Sequence, residues 1–239
     1  MSIIPDMREF IRDYKLIAIR PRPGKTPLLK GRFEFSAKHP EAGEVEDAFD
    51  LEIDVPATFP KDLPTVIETG NRIPRTQTYH VNQTDWTLCL GSPLRLVVLL
   101  SEKPTLTGFA EKCLVPYLFA ISQKLSLGVP LPFGQLDHGA PGALADYQTL
   151  FGLKSAEQAL ATLHVLGQKK RRANKQPCPC GCSLRLGRCP FRNRLPRYRV
   201  LASRPWFRAQ FQEMTRMLEA SRFSAVTSYG EIGKRSIAH

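Results

Sequence analysis

Four of the chain's six cysteines, Cys178, Cys180, Cys182 and Cys189, fall within twelve residues, in the run PCPCGCSLRLGRCP. No other feature limits so tightly what its segment can fold into. A stretch this short, broken by three prolines and two glycines, offers too little apolar surface to hold a shape unaided. It needs a cross-link or a metal. In a reducing compartment such a tight cluster points to metal more than to disulfides. Cys89 and Cys113 stand apart.

The rest of the chain has the means to build a core. Apolar residues make up 42% of its 239 positions, enough for one good-sized domain with an appendage or two small domains. The longest apolar candidate, LTGFAEKCLVPYLFAI, is interrupted by Glu111, Lys112 and Pro116 and falls short of the roughly 20 residues a membrane span needs. The opening MSIIPDMREFIRDY mixes acids and arginines into its apolar residues and lacks the basic-then-apolar order of a signal peptide. A cytoplasmic protein with no membrane partner is expected.

Charge is segregated. The net charge is +12, yet 13 Lys and Arg lie between Gly167 and Ala209 with no Asp or Glu among them. Outside that segment 21 basic residues face all 22 acidic ones, so the remainder is near neutral. The basic segment fits either an acidic or phosphate-rich partner or a solvated flank of the cysteine knuckle.

The pattern along the chain predicts an α+β arrangement. A first helix is expected from Ile4–Pro5, with Met7, Phe10, Ile11 and Tyr14 on one face. Strand-like runs follow at Leu16–Ile19 and Leu28–Ser36. Phe49, Leu51, Ile53 and Val55 then alternate with Asp50, Glu52 and Asp54, and TVIE makes a fourth strand. One helix followed by an antiparallel meander suggests an α+β domain. From Ile73 to Pro104 regular signals are few, and an ordered functional loop is expected there. A helix is expected over Leu106–Leu125, kinked at Pro116. Ala143–Gly167 reads as helical, with Ser155 and Gln158 forming a capping box and Gly167 the stop. A last helix from about Pro205 carries the apolar stripe Phe207, Phe211, Met214 and Leu218 and then a poorly anchored end.

Cys89 lies in that long loop, in TYHVNQTDWTLCLGSP. Between two leucines, a cysteine is ordinarily a small buried hydrophobe. Against that, His80, Asn82 and Asp85 precede it. An asparagine amide can stabilise an oxyanion, and Asp or His can perturb a thiol or relay a proton. Cys113, spaced i+4 from Phe109 in the expected helix, reads as core. His138, in QLDHGAPG beside Asp137, reads as a turn residue. His164, with Leu160 and Leu163 on one helical face, reads as a core histidine.

The stretch FDLEIDVPATFPKDLPTVIETGNRIPRTQTYHVNQTDWTLCLGSP resembles the core of the ubiquitin-conjugating enzymes. Its ordered parts are Phe59-Pro60, Pro64, Val66-Ile67, His80-Val81-Asn82 and Cys89-Leu90, and the resemblance covers roughly residues 1–125. Val81 stands at the family's proline, Trp86 where glycine is common, and the His80–Cys89 spacing is shorter than usual. The resemblance implies a four-stranded antiparallel sheet with flanking helices. It implies that Cys89 carries the C-terminal carboxyl of a ubiquitin-like protein as a thioester and passes it to an amine. In that scheme Asn82 stabilises the oxyanion or holds the loop, His80 fixes the loop, and Asp85 helps deprotonate the amine. A separate activating enzyme is required. The departures resemble a divergent bacterial branch found in antiphage defence, beside activating-enzyme or nucleotidyltransferase partners.

The cysteine run is similar to the SEC-C zinc motif, with Cys178, Cys180 and Cys189 at its cysteine positions and Pro190 where its fourth ligand would stand. Cys182, or a distant His164 or His138, is the candidate replacement. A structural Zn²⁺ with four thiolates would leave no open position for catalysis. Three domains are expected: 1–130 conjugating-enzyme-like, 131–167 a helical linker, and 168–239 a basic zinc knuckle with a C-terminal helix. Three functions follow: a thioester-forming transferase, a silent adaptor of the same fold, or a nucleic-acid-binding module using the basic segment with Phe191, Tyr198 and Trp206 as stacking platforms.

Overall fold

The alternation from Phe49 onward is realised in the longest pair of strands. The computed structural model describes residues 5–128 and 139–235, with side chains described from 6 to 220 within those stretches. The chain divides into two compact units, Met1–Gln135 and Leu136–His239, so the cysteine knuckle and the helical segment before it belong to one unit. His138, Asp137 and the chain's last residues lie outside what is described.

The first unit is mixed α and β. Helix α1 (Pro5–Asp13) leads into β1 (Ile17–Arg20), β2 (Leu28–His39), β3 (Gly43–Asp54) and β4 (Thr65–Glu68). These form one antiparallel sheet in the order β1-β2-β3-β4. In β3, Phe49, Leu51 and Ile53 are buried while Asp50, Glu52 and Asp54 point away. The register pairs Phe33 with Phe49 and Lys30 with Glu52, setting aromatics on one face and an ion pair on the other. Met7 and Phe10 of α1 join this core, each side chain contributing roughly 1.5–3 kcal/mol by burial.

Two elements differ from the sequence expectation. Within the supposed loop, α2 (Pro93–Leu100) begins at Ser92, whose side chain accepts from Arg95 N–H, with Pro93 in its first turn. Its run PLRLVVLL is too uniformly apolar to show a helical period, so only the Ser-Pro punctuation betrays it. At Pro116 the expected kink takes another form. Helix α3 (Leu106–Phe109) passes through a π-helical turn (Ala110–Leu114) into α4 (Val115–Leu127). The wider turn precedes a proline that has no N–H to donate backward. Cys113 lies in that turn and is buried, as expected.

The second unit is helical. Helix α5 (Gly139–Phe151), α6 (Ala156–Leu166) and α9 (Arg204–Arg235) pack around Leu144, Tyr147, Leu163 and Phe207. Ser155 caps α6 by accepting from Gln158 N–H, and Gln158 Oε1 accepts from Lys154 N–H. Phe207 and Met214 of the stripe are buried. Between α6 and α9 run α7 (Lys170–Ala173), the cysteine knuckle and α8 (Pro196–Leu201). Among the described residues no helix is long and apolar enough to cross a membrane.

Gly31 marks the tightest backbone approach in the sheet. Its φ is +152°, and a Cβ there would sit 2.1 Å from Leu16 O. Gly24, with φ +68°, has nothing within 4 Å of the same atom. Gly31→Ala is expected to lose about 3 kcal/mol or more in urea unfolding, against about 1 kcal/mol for Gly24→Ala, where only backbone strain acts.

Candidate functional site

Cys89 is held by a short ribbon added to the sheet's edge. Thr87 bridges Ile67 of β4, and Leu88 N–H donates to Val66 O at 2.8 Å. On the other side Val81 bridges Leu88, and Cys89 N–H donates to His80 O at 2.7 Å. Val81 and Leu88 are buried, so Thr87 and Cys89 on either side of Leu88 face outward. His80 takes the left-handed conformation (φ 51°) that aims its carbonyl at Cys89, and it closes the 3₁₀ turn Gln77–Tyr79.

The polar residues around the thiol are engaged with one another. Asn82 Nδ2 donates to Thr87 Oγ1 at 2.7 Å, and Thr87 Oγ1 donates to Asp85 Oδ1 at 2.7 Å. Asp85 Oδ1 also accepts Thr87 N–H at 3.0 Å. These bonds tie the turn that joins the two sides of the ribbon. Trp86 within it has φ 60°, and Arg75 lies over its ring at 5.2 Å. The structure therefore brings His80, Asn82, Asp85 and Cys89 into one ribbon, with the Asn82 amide and Asp85 carboxylate turned to Thr87.

Thr87 and Tyr117 were not singled out by the sequence. Thr87 is the hub of the turn, but a lone threonine among polar loop residues carries no signal. Tyr117, in the first turn of α4, donates its hydroxyl to Tyr79 O at 2.8 Å. Lys124 donates to Thr78 O and lies over the Tyr79 ring, so α4 fastens the segment leading into His80 at two points. Burial pushes the Tyr117 hydroxyl up, and Cys89 and Glu68 add to that shift. Nothing local in sequence connects position 117 to position 89.

Cys89 is exposed, whereas Cys113 is buried. The protein packed about the Cys89 sulfur pushes its pKa up, only partly offset by the Gly91 N–H. The two observations concern different things: accessible surface sets whether a reagent can arrive, and surrounding density sets the cost of ionising. The resting thiol is thus reachable and protonated.

The second site is the cysteine knuckle. The Sγ atoms of Cys178, Cys180, Cys182 and Cys189 all lie within 4.8 Å of one another. Zinc thiolate bonds of about 2.3 Å put tetrahedral sulfurs about 3.8 Å apart, and the Cys180–Cys189 separation is 3.6 Å. These four cysteines are close enough to hold a metal ion and are compatible with zinc. Burial pushes the Cys178 and Cys180 thiols up, with the N–H groups of Cys180 and Cys182 acting against that shift, and Cys182 is pushed down to about 7, first by the Leu184 N–H. Phe191 N–H serves Cys189 at 3.4 Å. Amides converging on sulfur stabilise thiolate over thiol. Gly181 (φ 79°) and Ser183 (φ 62°) make the turns that allow it.

Cys182 lies in the same set of four sulfurs and is close enough to be a fourth ligand. His164 departs from the sequence expectation. It is exposed rather than core, its Nε2 meets Gln168 Nε2 at 2.6 Å, and its ring lies 4.9 Å from Phe211. It sits on the outer side of α6, where the helical spacing alone could not tell rim from core. Phe191 and Tyr198, expected as stacking platforms, are buried at 6% and 2% exposure, and Tyr198 packs edge-on against Phe151. Trp206 is half-buried against Phe207.

Several arginines of the basic segment have internal duties. Arg197 donates to Leu150 O at 2.9 Å, and Arg194 to Phe151 O at 3.3 Å, at the end of α5. Arg199 reaches Val165 O, Leu166 O and Gln168 O, and Arg208 reaches Gly167 O, at the end of α6. They satisfy carbonyls that a helix end leaves without partners, and their charge suits the helix dipole. No family model, curated protein or solved structure matches the chain.

Alkylation by iodoacetamide, read by peptide mapping, tests the thiol assignment. The rate at Cys89 should climb with pH through a midpoint above that of an ordinary cysteine, because only the thiolate reacts. Cys113, buried and pushed up to about 11, should stay unmodified in the folded chain across the same range.

Proposed function

We propose that the first unit is a ubiquitin-conjugating-enzyme-like domain in which Cys89 carries an acyl group as a thioester, and that the second unit is held by a structural zinc. The observation that carries the reading is the exposed Cys89 thiol on a ribbon hydrogen-bonded to the edge of a four-stranded antiparallel sheet. Cys89 is the one described cysteine that is both solvent-exposed and outside the knuckle.

In this reading Cys89 takes the C-terminal carbonyl of a ubiquitin-like protein, or of a nucleotidyltransferase-type partner, from the thioester of a separate activating enzyme. The new S–C bond forms as the donor's thiolate leaves. An incoming amine then attacks the carbonyl, the Cys89 thiolate departs, and an amide remains. Asn82, bonded to Thr87, holds the ribbon; an oxyanion role would require it to exchange that partner. Asp85, also bonded to Thr87, secures the turn and is exposed, and in this reading it would help deprotonate the amine. His80 contributes its carbonyl and its left-handed turn. The resting protonated thiol resists stray alkylation and oxidation in the cytoplasm until a donor docks. Thioester chemistry of this type fits a bacterial defence setting.

The zinc would be bound by Cys178, Cys180, Cys182 and Cys189, and its role would be to cross-link a segment with little core of its own.

Incubation with the cognate activating enzyme, ATP and ubiquitin-like protein should give an adduct released by thiols. Cys89→Ala should abolish it, and Cys89→Ser should give a thiol-resistant ester; an unchanged adduct in Cys89→Ala would overturn the assignment. Metal analysis should find one zinc per chain. Cys180→Ser should lose it and lower the thermal midpoint, while leaving the Cys89 adduct to be scored separately.

A further inference from the structure

We infer that the second unit carries a docking face for the phosphate backbone of duplex nucleic acid, built from α7 and the arginine ridge of the cysteine knuckle. The inference is independent of the Cys89 chemistry.

Ten of the thirteen cations of the basic segment divide into two groups; of the other three, Lys169 and Arg204 are exposed and Arg192 donates to Gly187 O. Arg194, Arg197, Arg199 and Arg208 are spent on the carbonyl ends of α5 and α6. Lys170, Arg171, Arg172, Lys175, Arg185 and Arg188 are all exposed. The ion pairs among the described residues all lie elsewhere. No Asp or Glu occurs between Gly167 and Ala209 to offset them.

The backbone brings four of these six positions together. Gly187 N–H donates to Asn174 O at 3.0 Å, and Leu186 N–H to Gln176 O at 2.9 Å. The approach is close enough that a Cβ on Gly187 would meet Asn174 O at 2.9 Å. Arg185 and Arg188 on one side of this pairing are thereby set beside Arg172 and Lys175 on the other. Gathering like charges costs free energy in the isolated protein, and a polyanion returns it.

The kind of polyanion follows from what the face lacks. Phe191 and Tyr198 are in the core and Trp206 is half-buried against Phe207, so successive bases of a single strand find no run of stacking platforms there. Leu184 and Val200 are exposed singly and form no apolar anchor of the sort a protein partner would bury. What remains is a set of exposed cations flanking paired backbone. Duplex nucleic acid presents a matching array, one phosphate charge per about 1.7 Å of its axis. Contacts of this sort position without reading sequence.

The test uses the full metal-loaded chain and fluorescence anisotropy with a labelled random-sequence DNA duplex at several salt concentrations. Affinity should fall linearly on a log–log plot. The triple variant Lys170→Gln/Arg171→Gln/Arg172→Gln should lower the slope by about 2–3, at ~0.9 for each phosphate no longer neutralised. Arg185→Gln/Arg188→Gln should also lower it. Arg32→Gln/Lys38→Gln in the first unit should leave it unchanged. Zinc content, measured on every variant, reports that the knuckle is intact. Salt-independent binding, no binding, or equal losses in the control pair would overturn the proposal. So would tighter binding of polyglutamate, which would assign the face to an acidic protein, or of single strands.

Discussion

The backbone of Val66 and Ile67 is claimed from both sides, and the candidate thiol depends on it. One edge of β4 completes the sheet against β3; the other receives Thr87 and Leu88. A four-residue strand would be a weak edge by itself. Here it is a shared rail, and the residue after Leu88 is Cys89. The exit from β4 is secured by Glu68, whose buried carboxylate accepts the N–H groups of Gly70, Arg72 and Ile73. That carboxylate turns the chain away from the sheet so that it can return along the same edge. The loop is thus neither free nor regular, and its geometry is inherited from the sheet.

The second unit solves a different problem. Helix α5 ends at Gly152 (φ 66°), with Leu153 N–H donating to Gln148 O at 2.9 Å, and carbonyls at the ends of α5 and α6 take further donors. Guanidinium groups supply the donors. Arg199 alone serves three carbonyls, a geometry suited to a planar fork and poorly suited to a lysine ammonium. The knuckle then relies on amides directed at sulfur and on the Asn174–Gly187 hydrogen bond, with Leu186, Phe191 and Leu195 as large buried side chains between Cys182 and α8. Removing metal would leave thiols facing one another at 3.2–3.6 Å with little apolar packing to hold them.

How much of this was legible in the sequence follows from the range of each signal. The alternation in β3, the α1 stripe and the Ser155 capping box are local patterns, and each appears where the pattern put it. Close spacing made the four-cysteine set visible as well. Signals that depend on distant residues did not come through. His164 has the spacing of a buried residue yet lies on the rim, because the boundary of α6's buried face is drawn by α9. Asn82 and Asp85 belong to the ribbon as expected, but their bonding to Thr87 depends on a turn that no local propensity announces. Helix α2 was hidden for the opposite reason: a run apolar on all sides erases its own period. The arginines show the same limit, since thirteen cations read alike until the helix ends claim four of them.

Exposure and ionisation come apart at Cys89, and this bears on what kind of thiol it is. A cysteine activated at rest needs a cation, an imidazole or several amides directed at sulfur. Of the knuckle cysteines, Cys182 is pushed down to about 7, first by the Leu184 N–H, while burial pushes Cys178 and Cys180 up. Cys89 has one amide, from Gly91, and its surroundings outweigh it. Such a thiol is unsuited to attacking an unactivated carbonyl unaided. It is suited to accepting an acyl group that another enzyme has already activated, where the incoming thioester supplies the driving force and the thiolate need exist only briefly. The same high basicity makes the sulfur a strong nucleophile once the proton is lost. Under the proposed reading the site would take its activation from a partner, and its polar residues Asn82, Thr87 and Asp85 are left to hold the ribbon in place.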